Sequence, residues 1–524
     1  MIRSLLADLL RPLTDFFKPE AQRELPNPFF TPEEIGRLHR VTLDSRTALD
    51  GQTWQDLLLE PYEETLTQQT SIFGRQFLHR RLRAGLDDDE CAALAGRLRG
   101  LLDDAPRVDA LMNALRPLRH AETEVAGLLF DGEAPCVPGW ARFTWLLPLF
   151  LLLSLGLLLT QPLGWMATLA AMAPLMALQI VYHRRVEAWN QVLNSVQALL
   201  AASGRLAALG GPLLEPFVAT RAQNARLHER LARPLLFRTF PAAESYVNWF
   251  AAYNVRRYWR TMGALHAARD FLRARYLETA TLEADVTLAR HLRGLDHWCW
   301  TGRGAPRSLA LEEGVHPLMD RPAALSVALD GRGAFISGQN ASGKSTFLRM
   351  VGLNLVVARA FGFCYARRAV LPAVPVRASM QNEDSLLGGE SLYMSELRRA
   401  RELLDAEAAG VCLIDEVFRG TNHLESVSAA SAVLESLAAR DLVLVSSHNL
   451  VLARILAGKL EPFRIDTRSG APALKPGVLR EPNGIALLAT QGFGPEIEGR
   501  AAEVARWLSG HLAEPQSESF RISA

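Results

Sequence analysis

The sequence predicts an α/β domain in its C-terminal part, behind a mainly α-helical region that carries an apolar helical hairpin. Three observations lead to this fold class. A glycine-rich loop at 338–346 joins a short apolar run to a helix-forming stretch. Two further apolar runs, 411–416 and 442–448, come after it, and buried parallel strands have such continuous apolar sequences. Residues 144–182 contain no charged side chain.

Composition narrows the class of protein. The chain has 524 residues and a net charge of +1, so it is long enough for several domains and has no global attraction to nucleic acid. Its five cysteines are scattered without a C-x-x-C pair, which favours reduced thiols over a disulfide framework or a zinc site. Charged side chains interrupt the apolar residues at its start, so we expect no secretory signal.

Helical periodicity and turn residues predict four segments. Residues 1–40 form an amphipathic helix, which packs on the protein or lies on a membrane surface, and a linker with several prolines. Residues 41–300 form the helical region, where the basic side chains of 75–83 are a solvated helix face or contact nucleic acid. Residues 301–510 form the α/β domain, and 511–524 form a flexible tail.

The two apolar stretches at 144–160 and 165–182 are each about long enough to span a bilayer. Arg142 precedes the first stretch and Arg184 follows the second, with tryptophans near the edges. Positive residues at both outer ends predict a transmembrane hairpin with two spans. Both termini would then lie at the cytoplasmic face of the inner membrane. A buried helical hairpin in a soluble core is the alternative.

The glycine-rich loop has the G-x-x-x-x-G-K-[ST] spacing of a phosphate-binding loop. Its glycines let backbone N–H groups turn toward a polyphosphate at the positive end of the next helix. Lys344 is predicted to reach the β- and γ-phosphates, and Ser345 to hold Mg²⁺. The α/β domain is therefore predicted to be a P-loop NTPase that binds ATP and Mg²⁺. The candidate nucleotide-binding residues are Gly338, Asn340, Ser342, Gly343, Lys344, Ser345 and Thr346.

Two later strands supply candidate catalytic side chains. Asp415 ends an apolar strand and is predicted to complete the Mg²⁺ shell through water. Glu416 follows it and is predicted to orient or deprotonate the attacking water. His448 ends the next apolar strand, where it could sense the γ-phosphate, with a structural histidine as the alternative. Glu416, His448 and Lys344 are thus the catalytic candidates.

A second anion site is predicted around Ser391, which follows a glycine pair at a helix start. An ordinary capped helix start is the alternative. In ATPases that pair head to head, such a loop caps the γ-phosphate of the partner. The sequence therefore predicts a homodimer with composite ATP sites, in which Ser391 acts in trans.

Together these residues resemble the MutS family of mismatch-repair ATPases. The phosphate loop is similar to the family's G-P-N-M-x-G-K-S-T, with Gln339 and Ala341 replacing its Pro and Met. Five further stretches match in order: His316-Pro317-Leu318 (H-P-L/V), Gly389–Glu396 (G-x-S-x-F-x-x-E), Asp415–Asn422 (D-E-x-x-R-G-T), Ser447-His448 (T-H) and Asn483–Ala501 (the closing helix pattern).

The resemblance is weaker upstream. Leu282–Ala289 is similar to the family's lever segment, and Gly74–Leu82 to the opening of its helical core, where Gln76 and Arg81 replace an Arg and a Trp. The chain contains no F-x-E mismatch-reading motif, and residues before 60 leave no room for the usual mismatch and connector domains. The resemblance therefore implies the family's nucleotide chemistry and not its mismatch recognition.

These observations predict a membrane-anchored MutS-type ATPase whose helical levers engage DNA. A membrane-bound, ATP-driven conformational switch that acts on an unidentified protein partner is the alternative, favoured by the near-neutral charge and the missing mismatch reader. An ABC transporter subunit is a third hypothesis, but one hairpin per chain is too little membrane domain for a transport path.

Overall fold

A computed structural model describes residues 29–42, 49–131, 137–234, 237, 241–380, 392–419, 421–467, 472–479, 488 and 492–512. The chain forms two compact units. The helical unit contains Glu63–Asp296 and the residues before 49, and the α/β unit contains Leu49–Tyr62 and the residues from His297 onward. The boundaries predicted from the sequence, 41–300 and 301–510, place Leu49–Tyr62 in the helical region instead of the α/β unit. The predicted amphipathic helix at the start of the chain lies outside the described residues.

The described α-helices account for most of the helical unit and flank the sheet of the α/β unit. Short 3₁₀ turns at Arg116–His120, Gly139–Phe143 and Pro212–Leu214 connect some of them. In chain order the helices are α1 (Pro32–Ile35), α2 (Arg37–Thr42), α3 (Gly51–Asp56), α4 (Leu59–Thr67), α5 (Ile72–Ala84), α6 (Asp88–Asp103), α7 (Ala105–Leu115), α8 (Leu146–Thr160), α9 (Gly164–Leu209), α10 (Glu215–Ala219), α11 (Arg221–Leu231), α12 (Pro241–Ala251), α13 (Tyr253–Ala267), α14 (Arg269–Arg293), α15 (Lys344–Phe361), α16 (Leu392–Leu404), α17 (His423–Arg440), α18 (Val451–Ile455) and α19 (Pro495–Leu512).

The two predicted apolar stretches form a helical hairpin, α8 and α9. The turn between them is tight, because a Cβ atom at Gly164 would lie 2.4 Å from the carbonyl oxygen of Leu157. Helix α9 runs on for 46 residues, so the second apolar stretch and the helix that follows it are one element. By length and composition, α9 is the one helix among the described residues able to cross a membrane, and 17% of its most apolar window is buried. Helix α8 is apolar but shorter.

The two stretches of the helical unit that resemble the MutS core meet in the structure. The buried carboxylate of Glu283 on α14 accepts hydrogen bonds from Ser71 N at 2.9 Å and from Gly74 N at 3.0 Å, at the start of α5. These N–H groups belong to the first turn of α5, where a helix has no internal acceptors. A Cβ at position 74 would lie 2.8 Å from Glu283 Oε2. A larger residue at position 74 would displace this carboxylate, so glycine suits the close contact of α5 with α14.

A second polar contact joins the same two helices. Asp285 on α14 forms two ion pairs. Its Oδ1 lies 2.8 Å from Arg81 Nη1, and its Oδ2 lies 2.6 Å from Arg97 Nε. His79 Nδ1 lies 2.9 Å from Glu63 Oε2, and both side chains are buried. The expectation of a solvated basic face at 75–83 is thus wrong for His79 and Arg81, because each has a buried carboxylate partner.

The α/β unit contains a main six-stranded sheet of order β12-β11-β5-β10-β9-β8, a four-stranded sheet of order β2-β7-β3-β4, and the pair β1-β6. In the main sheet, neighbours from β11 to β8 are parallel and β12 is antiparallel to β11. The strands are β1 (Cys299–Trp300), β2 (Gly302–Gly304), β3 (Ser308–Gly314), β4 (Leu325–Asp330), β5 (Gly333–Gly338), β6 (Phe363–Cys364), β7 (Arg368–Pro372), β8 (Val376–Ser379), β9 (Val411–Asp415), β10 (Leu442–Ser446), β11 (Leu460–Asp466) and β12 (Ala473–Pro476).

The core of the α/β unit explains the apolar runs in the sequence. Strands β5 and β10 are buried at every position, as expected for central parallel strands covered on both faces. Helices α16 and α17 pack on one face through an apolar cluster that includes Phe335, Leu434 and Val445. The described cysteines are free thiols, and Cys299 and Cys364 face each other across β1 and β6 with their sulfur atoms 3.7 Å apart.

Candidate active site

The candidate site lies at the carboxyl ends of three adjacent parallel strands. Strand β10 lies between β5 and β9, and its Ser446 pairs with Ile336 on one side and with Asp415 on the other. The carboxyl ends of parallel strands open at the same edge of the sheet, where doubly wound domains bind ligands. This topology brings together the glycine-rich loop, the acids after β9 and the histidine after β10.

The glycine-rich loop connects β5 directly to the first turn of α15. Gly343 has φ +93° and Ala341 has φ +59°, both in the left-handed region. Glycine adopts this conformation without steric cost, so position 343 favours glycine. The loop therefore ends with backbone N–H groups at the positive end of an 18-residue helix, an arrangement suited to binding phosphate.

The Lys344 side chain lies inside this loop. Its Nζ donates to the carbonyl oxygens of Gly338 and Gln339, each at 3.3 Å. Burial lowers the pKa of Lys344, and the nearby carboxylates of Glu416 and Asp415 oppose that shift. The ammonium group is thus held between the loop and the acids, where it can neutralise a bound polyphosphate.

A buried hydroxyl group in the same loop fits a nucleotide phosphate. Ser342 Oγ is buried and has no hydrogen-bond partner among the described residues. A buried hydroxyl without a partner costs about 1–3 kcal/mol of folding free energy. A hydrogen bond to a ligand oxygen would remove this cost. Around it lie Asn340 and Thr346, both exposed, and Ser345, which is half-buried.

The predicted Mg²⁺ ligands fit a cation that is held jointly with phosphate. The Asp415 carboxylate accepts a hydrogen bond from Ser446 Oγ on the neighbouring strand, which orients it. No cluster of three or more His, Cys, Asp or Glu side chains suited to a metal occurs within the described ranges. A hydroxyl group, one carboxylate and phosphate oxygens are the typical partners of Mg²⁺, which keeps several waters. Ser345 and Asp415 would be the protein groups in this set.

Glu416 is held in place by its backbone and by its side chain. Its N–H donates to the carbonyl oxygen of Ser446 at 3.0 Å, and its φ is +58°. Such left-handed backbone is strained in a residue with a side chain and often occurs at functional sites. Glu416 Oε1 lies 2.9 Å from Nε2 of His448. The two predicted catalytic side chains are therefore in direct contact.

Arg419 and Glu396 extend this network, and the sequence analysis gave them no individual role. Arg419 Nε lies 3.7 Å from Glu416 Oε2 and 3.7 Å from Glu396 Oε1. Glu396 is buried on α16, just beyond the stretch that contains Ser391. Both residues lie within the MutS-like motifs of the sequence, so these motifs could have identified the pair as part of the site.

The predicted trans-acting residue lies outside the described residues. Ser391, with Gly389, belongs to the undescribed stretch 381–391, so the structure does not test the composite site. Tyr393 and Glu396 from the same motif are described, and Tyr393 packs edge-on against Phe418, with ring centroids 5.9 Å apart. The role of Ser391 stays a prediction.

Residues of α3 support the elements around the site, which the sequence analysis missed. Asp56 Oδ2 accepts a hydrogen bond from the N–H of Met380, the residue directly after β8, at 2.9 Å. The backbone oxygen of Asp56 accepts one from Arg349 Nε at 3.0 Å, on the helix of the phosphate loop. This short helix therefore ties α15 to the edge of the sheet.

The start of α3 also holds Arg399 of α16. Arg399 Nη2 donates to Asp50 Oδ2 at 3.2 Å and to Thr53 Oγ1 at 3.1 Å. Although burial alone would raise it, Arg399 holds the pKa of Asp50 below its ordinary value. Asp50 caps α3 by accepting a hydrogen bond from Thr53 N at 2.7 Å. The Asp-x-x-Thr spacing in the sequence could therefore have identified the start of this helix.

Comparison with known proteins relates this domain to one family. Residues 334–466 match the family model of MutS domain V. The DNA mismatch repair protein MutS of Thermus aquaticus is 31% identical over 207 residues, which cover 37% of this chain and 25% of that protein. Its counterpart from Thermotoga neapolitana is 36% identical over 151 residues, which cover 27% and 19%. That from Sorangium cellulosum is 28% identical over 232 residues, which cover 40% and 25%.

The matches extend over part of each protein. The chain spans about a quarter or less of the length of these curated relatives. The family model begins in β5 and ends with β11, so it includes the phosphate loop, both acids and His448. Residues 334–466 are therefore similar to MutS domain V, and the curated relatives that match this chain are DNA mismatch repair proteins MutS.

Proposed function

We propose that this chain binds and hydrolyses ATP as a MutS-type homodimer that is anchored in a membrane. The observation that carries the ATPase proposal is the convergence of Lys344, Asp415, Glu416 and His448 at one edge of the sheet.

The ATPase step follows from the contacts of the site. Lys344 and the loop N–H groups neutralise the phosphates, and Ser345 and Asp415 hold Mg²⁺, which supplies further positive charge to the phosphate oxygens. Glu416 orients or deprotonates the attacking water. One of its carboxylate oxygens faces His448 and the other faces Arg419, so its orientation is restricted before ATP binds.

The dimer with composite sites rests on the MutS-like motif at 389–396. In this proposal Ser391 of one chain completes the ATP site of the other. Buried Glu396 connects that motif to Glu416 through Arg419. A change at the dimer interface could therefore reach the catalytic carboxylate through two ionic contacts.

The membrane anchor rests on the exposure of the hairpin. Large apolar side chains of α8 and the first half of α9 are exposed, among them Phe150 at 56% and Ile180 at 72%. Soluble proteins rarely expose a continuous apolar surface of this extent. Helix α8, with 15 residues, is shorter than a typical span, and a bilayer can thin locally around such a helix at modest cost.

The ligand of the levers is proposed to be DNA, by relation to the mismatch repair proteins. A protein partner is the second candidate, and one observation favours it. Arg81 and His79 have internal carboxylate partners, which leaves fewer basic groups on α5 for phosphate contacts. The chain also has a net charge of only +1.

DNA binding is tested with the detergent-purified chain and duplex DNA. We expect ATP-dependent binding that weakens by about 100-fold between about 50 and about 200 mM salt, because phosphate contacts release counterions. In the Lys344→Ala variant, DNA affinity should no longer respond to ATP. Binding that is absent at low salt, with ATP turnover intact, would reject DNA and favour the protein partner.

A further inference from the structure

An arginine-rich cavity lies in the helical unit, beside the base of the hairpin. Its volume is about 490 Å³. Four arginines and two aromatic side chains with polar atoms line it, and none of the described lining residues carries a carboxylate. These six residues are Arg142, Tyr253, Arg256, Arg257, Trp259 and Arg260.

The arginines at this cavity have few acidic neighbours among the described residues. Within the described residues, none of the four arginines forms an ion pair. The carboxylate of Glu244, whose charge reaches Arg257, lies 3.6 Å from Arg233 Nη1. Burial lowers the pKa of Arg257, and the charges of Arg233 and Arg260 act in the same direction. Among the described residues, these arginine charges thus lie close together without a directly paired carboxylate.

Buried donor groups at this cavity also lack acceptors. Arg257 is 6% exposed, and its Nη1 and Nη2 donate to Asn190 Oδ1 and to the carbonyl oxygen of Leu231, each at 3.0 Å. Its Nε has no acceptor, and the same holds for Tyr253 Oη and Trp259 Nε1, as far as the described residues go. A buried donor without an acceptor is unfavourable. Three residues of the cavity lining therefore carry donor groups without an acceptor among the described residues.

The cavity lies where the headgroups of a bilayer would be. Arg142 is in the 3₁₀ turn before α8, and Trp140 of that turn packs on Tyr182 and Trp259 at 5.8 and 6.4 Å between ring centroids. Tyr182 is also where the apolar part of α9 ends, since His183 follows it. Aromatic rings of this kind collect at the membrane–water interface.

We propose that this cavity binds the phosphate of an anionic phospholipid headgroup. The guanidinium groups provide paired N–H donors for the phosphate oxygens, and basic pockets beside membrane helices are suited to such headgroups. The acyl chains would lie along the exposed apolar surface of the hairpin. The inference rests on the proposed membrane insertion, which it extends by a specific lipid.

The test compares lipids retained by the full chain. The protein is reconstituted in vesicles of phosphatidylcholine mixed with phosphatidylglycerol, extracted in mild detergent, and its bound lipids are measured by mass spectrometry. We expect phosphatidylglycerol to be enriched over phosphatidylcholine, and Arg256→Gln/Arg260→Gln to lower that enrichment by about tenfold. Arg184→Gln/Arg185→Gln removes the same charge from exposed positions outside the cavity lining and should change it by less than about twofold.

Three results would overturn the lipid site. These are equal retention of both lipids by the wild type, equal loss in the two double variants, and binding of inorganic phosphate at the cavity without any lipid preference. Circular dichroism and size-exclusion chromatography verify that each variant is folded, and Arg142→Gln is a second, exposed variant should the first double variant not fold. The membrane proposal fails separately, if the protein washes off phosphatidylcholine vesicles at alkaline pH. Stable insertion without lipid preference rejects the cavity alone.

Discussion

The Glu416→Gln variant is expected to hydrolyse ATP about 100-fold more slowly than the wild type, or slower still, while it binds ATP with similar affinity. General base and water-positioning groups contribute about 10²–10⁴-fold to such reactions. The amide keeps the shape of the side chain but loses the charge that faces His448 and Arg419. Since ATP then persists in the site, we also expect a larger dimer fraction, measured by light scattering with ATP and Mg²⁺.

The matched control is Glu435→Gln, an exposed position on α17 in the same unit. It removes the same charge away from the sheet edge and should leave steady-state turnover unchanged. Turnover by Glu416→Gln equal to that of the control would remove Glu416 from the catalytic role.

The Asp285→Asn variant is expected to lose about 3–5 kcal/mol of unfolding free energy in the helical unit. Removing one partner of a buried ion pair leaves the other charge uncompensated, which gives losses of this size. Arg81 is the buried partner, with its side chain 6% exposed, while Arg97 at 32% can still reach water. Urea unfolding in detergent, followed by tryptophan fluorescence, measures the change.

Asp270→Asn provides the control on the same helix. Its side chain is 96% exposed and pairs with Arg273 at 3.3 Å, so its loss should cost less than about 1 kcal/mol. A similar loss in both variants would mean that the buried contact between α5 and α14 does not stabilise the unit.

Much of the candidate site could be predicted because its signals are local. The loop spacing and the apolar runs before Asp415 and His448 identify strands, and parallel topology then brings their carboxyl ends together. The contact between Glu416 and His448 follows from β9 and β10 being neighbours, which the sequence only implied.

The support from α3 could not be predicted, because it joins residues far apart in the chain. Asp50 and Arg399 are separated by 349 positions, and neither has a pattern that indicates the other. From the sequence alone, α3 is interpreted only as a short polar turn. Tertiary contacts decided its association with the α/β unit.

The basic stretch at 75–83 shows the limit of composition. A row of arginines on a helix normally indicates a solvated face. Here Arg81, one of the departures from the MutS pattern, is buried against Asp285 of the lever segment. The partner lies on another helix, so charge patterning along α5 could not reveal it.

The most direct test of the ATPase account is the affinity of the purified chain for ATP with Mg²⁺, compared between the wild type and Lys344→Ala. Lys344 is buried in the loop and contacts the carbonyl oxygens of Gly338 and Gln339. We expect calorimetry to show binding by the wild type and by Lys459→Ala, an exposed control in the same unit. The dissociation constant of Lys344→Ala is expected to be about 100-fold higher, since charged hydrogen bonds to two phosphates are lost. Equal affinities in all three proteins would contradict it.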